Sequence, residues 1–238
     1  MLEIKNLTKK YGEKVAVDDL SLTVQNGQIC AFIGHNGAGK TTTLKAIAGI
    51  LNFEQGEIKI DGIDVKKNPM EAKRILAYLP DNPDLYEYLT GIEYLNFIAN
   101  IFKMSENDRK QKIEQYAKRI GIFDALQSQI SSYSHGMKQK LALVSALIHS
   151  PRLLLLDEPF VGLDPISSHE MKLIMQEMAQ NGATIFYSTH VLDVAEKICN
   201  QVAIIKQGKL IVFGKMEEVK GMQSLENVFL ELENDKHD

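Results

Sequence analysis

The sequence has few cysteines and no long apolar run. Cys30 and Cys199 are the only cysteines among 238 residues, and neither has a second metal-ligand residue at a suitable spacing. Each has apolar neighbours, so we expect two small core residues in a reducing compartment rather than a disulfide or a metal site. The leucine run at residues 153–156 is far too short to cross a bilayer, so we do not expect the chain to enter a membrane by itself.

The sequence also has no block rich in lysine or arginine, and its formal net charge is −4. This balance argues against a surface that binds nucleic acid or anionic lipid. The first five residues do not have the layout of a signal peptide. A hydrophobic content of 45% and a length of 238 residues predict one large globular domain, or one domain with an inserted part.

Residues 34–41 fit the P-loop pattern G-x-x-x-x-G-K-[ST] at every fixed position. The apolar residues 28–33 predict a buried strand before the loop, and residues 42–50 predict a helix after it. This order turns backbone N–H groups and a helix N-terminus toward a phosphate chain. Lys40 would neutralise the β- and γ-phosphates, and the Thr41 hydroxyl would reach Mg²⁺. The alternative, a glycine-rich turn without a ligand, does not account for the agreement between pattern and context.

The remaining patterns predict an α/β fold with a P-loop NTPase core, in which a mostly parallel sheet is flanked by helices. Short strands before residue 25 indicate an N-terminal antiparallel β subdomain, and Asn26-Gly27 is expected to form a hairpin turn into the P-loop strand. Helical spacing at residues 93–102, 105–120 and 137–149 indicates an inserted helical subdomain. We expect a single domain over residues 1–238, with its core at about 1–82 and 151–220, the helical subdomain at 83–150 and a short C-terminal helix at 221–238.

A second constellation follows the leucine run, where Asp157 and Glu158 end a predicted buried strand. Asp157 is positioned to hold Mg²⁺ through water, and Glu158 to polarise a water for attack on a γ-phosphate. A solvated acidic turn is the alternative. His190 follows another predicted strand, where a neutral imidazole could donate a hydrogen bond to a γ-phosphate oxygen or orient the water. A lone histidine is more often a structural or surface residue.

These motifs occur in one fixed order, and together they resemble the nucleotide-binding subunit of an ATP-binding cassette (ABC) transporter over nearly the whole chain. Tyr11 matches the aromatic residue that stacks on adenine. Residues 133–139, Tyr-Ser-His-Gly-Met-Lys-Gln, resemble the ABC signature, and are called the signature segment below. Residues 162–164 match the D-loop, and His190 matches the switch histidine.

The resemblance implies a head-to-tail dimer of two ATP-binding subunits, in which the P-loop of one and the signature of the other enclose ATP. Hydrolysis through Glu158 opens the dimer, and the cycle drives an integral membrane permease that this chain does not encode. The implied nucleotide-binding residues are Tyr11, Gly34, His35, Asn36, Gly37, Ala38, Gly39, Lys40, Thr41, Thr42, Ser134 and Gly136. The implied Mg²⁺ ligands are Thr41, Asp157 and Asp81, and the implied catalytic residues are Glu158 and His190.

Two residues depart from the family pattern. His135 replaces a glycine of the signature, where it would either crowd the phosphate of the partner's ATP or add a hydrogen bond to it. Asp81 stands where the family most often has a glutamine that senses Mg²⁺ and contacts the membrane subunit. It could act as a Mg²⁺ ligand or simply as a turn residue before Asn82-Pro83. These departures leave a homodimer and a heterodimer with one weak site both open.

Three functions remain open at this stage. We expect a cytoplasmic ATPase subunit that its permease partner holds at the inner face of the cell membrane. Residues 224–232 resemble the tail of cassettes from multidrug, bacteriocin or antibiotic export systems, which favours export over import. A soluble ABC protein acting on ribosomes or DNA usually has two cassettes or a coiled coil, and this chain has neither. A regulatory module without hydrolysis is disfavoured by the presence of Glu158 and His190.

Overall fold

The computed structural model describes residues 1–234, which form two β-sheets and the helices that cover them. The smaller sheet is antiparallel and has the strand order β2-β1-β4-β5. Its strands are β1 (Leu2–Tyr11), β2 (Lys14–Val24), β4 (Gln55–Ile60) and β5 (Ile63–Asp64). Leu2 and Ile4 of β1 alternate with more exposed residues and are buried, so this sheet packs one face against the rest of the molecule.

The larger sheet has the order β10-β9-β3-β8-β7-β6. All its neighbouring strands are parallel except β9 and β10, which form an antiparallel hairpin. Its strands are β3 (Ile29–Ile33), β6 (Leu76–Leu79), β7 (Leu153–Asp157), β8 (Thr184–Thr189), β9 (Gln201–Lys206) and β10 (Lys209–Lys215). Strands β3 and β7 are buried along their whole length, as their continuous apolar sequences predict.

Helices cover both faces of the larger sheet. They are α1 (Lys40–Ile47), α2 (Pro69–Ile75), α3 (Gly91–Ile101), α4 (Glu106–Ile120), α5 (His135–Leu147), α6 (Pro165–Gln180), α7 (Leu192–Ile198), α8 (Met216–Lys220) and α9 (Leu225–Asn234). One apolar core lies between the two sheets and includes Phe32, Leu44 and Leu155. The other core lies on the opposite face of the larger sheet and includes Leu154 and Tyr187.

The expected helical segment is present, because residues 83–150 contain α3, α4 and α5 and no strand of either sheet. Each helix begins at a side-chain cap. Ser105 accepts a hydrogen bond from the Asp108 backbone N–H at 3.2 Å, and Thr90 and Glu93 form a reciprocal capping box at the start of α3. The expected C-terminal helix occupies residues 225–234, and the last four residues of the predicted range, 235–238, lie outside the described residues.

Two local predictions were wrong, and one helix was not predicted. Asn26-Gly27 does not form a hairpin, because β2 pairs with β1 in the antiparallel sheet, whereas both edges of β3 pair with β8 and β9 of the other sheet. Helix α2 was not predicted, since its seven residues bury only Ala72 and thus lack an apolar face. Helix α1 begins at Lys40 and ends at Ile47, two residues earlier than predicted at its start and three at its end.

Cys30 and Cys199 are buried and free, as expected for core residues. Burial raises the pKa of both thiols. Cys199 donates a hydrogen bond to the Tyr187 hydroxyl oxygen, with 3.3 Å between sulfur and oxygen. Within residues 1–234, none of the helices has the length and apolar character needed to span a membrane.

Candidate functional site

The candidate site lies at the carboxyl edge of the larger sheet. Strands β3, β6, β7 and β8 run parallel, so the segments that follow them emerge at the same edge. The P-loop follows β3, and Asp81 follows β6. Asp157 is the last residue of β7 with Glu158 directly after it, and His190 follows β8. Parallel α/β sheets bind ligands at this edge. The strand order therefore brings together four regions that are far apart in the sequence.

Two glycines of the P-loop lie where no side chain fits. A Cβ atom on Gly34 would collide with the Ile205 carbonyl oxygen of β9. Gly39 has φ 110°, and a Cβ atom there would lie 2.5 Å from the Ala16 carbonyl oxygen of β2. The loop thus passes directly against the backbones of both sheets, and its position is fixed by those contacts.

Lys40 begins α1 and folds back over the loop. Its ammonium donates hydrogen bonds to the Gly34 and His35 carbonyl oxygens, at 2.5 and 3.2 Å. Burial lowers the pKa of Lys40 from its ordinary value, while the carboxylates of Glu158 and Asp157 act in the opposite direction. The Lys40 ammonium is therefore held inside the loop and interacts electrostatically with two carboxylates.

A cavity of about 310 Å³ opens between the P-loop, the end of β1 and the end of β7. The predicted residues that line it are Tyr11, Asn36, Gly37, Gly39, Lys40, Thr41, Thr42, Asp81, Asp157 and Glu158. Lys14 and Ala16 of β2 also line it, although no sequence motif predicts them. Their signal was weak, because only the pairing of Tyr11 with Lys14 across the β1–β2 turn brings that strand to the site.

The other predicted P-loop residues do not line this cavity. Gly34 and Ala38 are buried and are not among the lining residues. His35 is exposed, and its ring lies 5.2 Å from the ring of Phe229 in α9. The His35 side chain thus contacts the C-terminal helix.

Asp157 and Glu158 occupy different environments despite being adjacent. Asp157 is buried and accepts a hydrogen bond of 2.5 Å from the Ser188 hydroxyl of β8. Glu158 has a left-handed backbone with φ 50°, and its N–H bonds to the Ser188 carbonyl oxygen at 3.2 Å. The Glu158 carboxylate lies 2.9 Å from Nδ1 of His190, whose side chain is 62% exposed. His190 therefore contacts Glu158 and is not among the cavity-lining residues.

The residues present fit a hard cation such as Mg²⁺. The Thr41 hydroxyl and the carboxylates of Asp157 and Asp81 place oxygen donors along one cavity. The hydroxyl of Tyr78 in β6 is buried without a hydrogen-bond partner, and burial and then the charges of Asp157 and Asp81 raise its pKa. In residues 1–234 no three acidic, histidine or cysteine side chains cluster as a metal site. Phosphate oxygens would have to complete the ligand set, as is usual for Mg²⁺.

The signature segment lies at the start of α5 and does not contribute to this cavity. Ser134 caps α5 by accepting a hydrogen bond from the Met137 N–H at 3.3 Å. A Cβ atom on Gly136 would lie 2.9 Å from the Gly162 carbonyl oxygen, so this segment packs closely on the D-loop. Lys140 adds an ion pair with Asp164 at 2.5 Å. Ser134 and His135 are exposed, and neither lines the P-loop cavity.

The fold and cavity define a P-loop nucleotide-binding protein, and comparison with known proteins gives the family. The model of the ABC transporter family matches residues 17–161. An uncharacterized ABC transporter ATP-binding protein, YxlF of Bacillus subtilis, is 39% identical over 96% of this chain and 75% of its own length. The linearmycin resistance ATP-binding protein LnrL of the same organism is 31% identical over 90% of this chain and 69% of its own length.

Solved structures agree with this result. The ATP-binding subunit of an ABC transporter superposes with a TM-score of 0.95 at 34% identity, covering 98% of this chain and 100% of its own. The dimeric cassette MJ0796 with bound ADP and phosphate has a TM-score of 0.82, covering 91% of this chain and 99% of its own, and its 23% identity supports the fold alone. The chain belongs to the ATP-binding subunits of ABC transporters and is an ATPase. The predicted family and fold class are confirmed.

Proposed function

We propose that this ATPase works as a dimer in which ATP lies between the P-loop cavity of one subunit and the signature segment of the other. The observation that carries the proposal is the division of the site. The cavity contains a phosphate loop and three carboxylates, whereas Ser134 and Gly136 lie outside it. The exposed N-terminal turn of α5 can supply backbone N–H groups to a γ-phosphate only across a subunit interface.

Within each half-site the side chains have separate roles. Lys40 would exchange its loop carbonyl partners for β- and γ-phosphate oxygens, a replacement that keeps its ammonium hydrogen-bonded. Glu158 would accept the proton of the attacking water as the bond between the γ-phosphorus and the bridging oxygen breaks, releasing ADP and phosphate. His190 would hold the Glu158 carboxylate through their 2.9 Å contact. Thr41, Asp157 and Asp81 would hold Mg²⁺, which neutralises phosphate charge when bound.

Mg²⁺-dependent ATPase activity of the purified chain tests these roles. Lys40→Ala should weaken ATP binding, because it removes the cation from the loop. Glu158→Gln should leave binding intact and lower turnover by about 10²- to 10⁴-fold, the usual contribution of a general base. Glu71→Gln, which changes an exposed carboxylate of α2, is the control. Turnover that responds to neither Lys40→Ala nor Glu158→Gln would contradict the site assignment.

The dimer itself can be measured by size-exclusion chromatography with light scattering. Glu158→Gln with ATP and Mg²⁺ should accumulate as a dimer, because the bridging nucleotide is bound but not hydrolysed. Ser134→Ala in the same background should shift the population back toward monomer. A monomer under all conditions would leave a heterodimer with a different cassette as the arrangement that survives.

An exposed aromatic surface suits the membrane partner. Tyr86, Tyr88 and Phe97 are 47%, 73% and 41% exposed, and the ring of Tyr86 lies 6.0 Å from that of Tyr88 and 5.6 Å from that of Phe97. The first residue of the cluster, Tyr86, lies five residues after Asp81 in the chain. We place the permease here and propose that it holds the subunit at the inner face of the cell membrane, as part of an exporter. The resistance function in the name of LnrL favours export.

Detergent extraction of native membranes tests the permease contact. The wild-type chain should copurify with a hydrophobic subunit, and Tyr88→Ala should lower that yield while basal ATPase activity is kept. Met70→Ala, which removes another exposed apolar side chain from α2, is the control. Copurification with ribosomes in place of a membrane protein would refute the transport function.

A further inference from the structure

The end of β1 carries an arrangement that the proposed functions do not use. Lys9 and Tyr11 lie two residues apart on β1, so their side chains share one face of the antiparallel sheet. The Lys9 ammonium lies 5.2 Å from the centre of the Tyr11 ring, within the range of a cation–π contact. Tyr11 is nevertheless 51% exposed, so the cation covers only part of the ring.

A carboxylate holds Lys9 in this position. Glu54 accepts a 2.8 Å hydrogen bond from the Lys9 ammonium and a 2.7 Å hydrogen bond from the Lys10 backbone N–H. The Lys9 contact is the main cause of the lowered pKa of Glu54. Glu54 belongs to the segment between α1 and β4, and its own N–H bonds to the Thr8 carbonyl oxygen at 3.1 Å. The segment that follows the P-loop helix therefore clamps the strand that ends in Tyr11.

The burial of Lys9 needs an explanation. Lys9 is only 8% exposed, and so much burial is unusual for a lysine side chain. An exposed ion pair would be cheaper for the fold, because burying an ammonium costs solvation free energy. Its partner Glu54 is 43% exposed, so the pair is not part of an apolar core network. What the burial achieves is a fixed cation against one side of the Tyr11 ring.

We propose that Lys9, clamped by Glu54, is a positioning residue that orients the Tyr11 ring so that its remaining face stacks on the adenine base of ATP. Tyr11 lines the same cavity as Lys40 and Thr41. A phenol on a strand end can rotate, and fixing one orientation at the moment of binding costs entropy that lowers the affinity for a flat base. The Lys9 contact removes that freedom before the nucleotide arrives. The proposal rests on the nucleotide site proposed above.

Calorimetric binding to the full chain, with ATP and with inorganic tripolyphosphate, tests the inference. Lys9→Met should weaken ATP binding by about threefold to tenfold, the range of a cation–π contact. Tripolyphosphate has no base, so its affinity should not change. In steady-state kinetics KM for ATP should rise while kcat stays the same. Lys9→Arg, which keeps a cation over the ring, should restore the affinity.

Two further variants define the failure of the inference. Lys59→Met removes a comparable 2.9 Å ion pair from β4 of the same sheet and should change neither ligand. In a Tyr11→Leu background, Lys9→Met should have no additional effect, because there is no ring to orient. Unchanged ATP affinity in Lys9→Met, or equal losses for ATP and tripolyphosphate, would overturn the role of Lys9. A wild-type chain that binds neither ligand would instead overturn the proposed nucleotide site.

Discussion

In the dimer proposed above, the P-loop cavity and the signature segment are the two halves of the nucleotide site, and they are built in different ways. The cavity residues follow buried parallel strands, and the loop glycines press against backbone of both sheets. The signature segment begins a helix in the segment of residues 83–150, where the buried Tyr133 donates a 2.6 Å hydrogen bond to the Ala125 carbonyl oxygen, and it packs closely on Gly162 of the D-loop. One half is therefore fixed by the two sheets, whereas the other is fixed by contacts within residues 83–150 and braced by the D-loop.

The largest expected effect is in the rigid half. Gly39→Ala places a methyl group 2.5 Å from the Ala16 carbonyl oxygen at φ 110°, so the loop must move and ATP affinity should fall by about 100-fold. Gly37→Ala is the matched control, because its Cβ would contact nothing within 4 Å and only the backbone strain remains. Calorimetry gives the affinities, and thermal melting checks the fold. Equal losses in the two variants would mean that the loop is not held by β2.

A smaller effect is expected in the braced half. Gly136→Ala pushes a methyl group toward the Gly162 carbonyl oxygen and should displace the start of α5 from the D-loop. ATP binding by the single subunit should be unchanged, while turnover falls by about tenfold because the covering surface is misplaced. Ser131→Ala, just before the signature segment, is the control. If Gly136→Ala weakens ATP binding by the monomer, the two halves are not independent.

The smallest effect concerns His149, which connects the segment of residues 83–150 to the larger sheet. The ring of His149 stacks 3.6 Å from the ring of Phe102, which follows α3, and its Nε2 lies 3.2 Å from the Leu76 carbonyl oxygen of the larger sheet. Burial lowers the pKa of His149 to about 4. The unfolded state therefore binds its proton first as the pH falls below about 6.5, and the fold loses stability between that pH and 4.

Urea unfolding at pH 7.5 and pH 5 measures how the free energy of unfolding depends on His149. The wild-type chain should lose about 1–2 kcal/mol more than His149→Gln over that interval, since glutamine does not titrate there. His169→Gln, in α6, is the control. The same pH dependence in the wild-type chain and in His149→Gln would show that this histidine is not buried as a neutral ring.

Much of the rigid half could be predicted from the sequence, because its signals are local. The continuous apolar run of β3, the glycine loop and Lys40 are adjacent, and each element restricts the next. Asp157 and Glu158 follow a run of four leucines whose burial requires a central strand. The placement of these residues in one cavity follows from parallel pairing, which the alternation of strands and helices indicates.

The rest depends on contacts between distant segments. The false hairpin at Asn26-Gly27 arose because a local turn signal contains no information on which sheet receives the next strand. The contacts of Lys14 with the cavity, of His190 with Glu158 and of His35 with Phe229 join residues on separate elements. A sequence motif identifies the residue types, whereas the tertiary fold decides which of them face the ligand.

The backbone of Glu158 shows a compromise at a single position. At φ 50° glycine or asparagine is favoured, and this backbone conformation costs a glutamate about 1 kcal/mol or more. Neither glycine nor asparagine carries a carboxylate that could accept a proton. If Glu158 is the general base proposed above, fold stability and proton transfer favour different amino acids at residue 158. A library of variants screened only for thermal tolerance would then be expected to lose the glutamate.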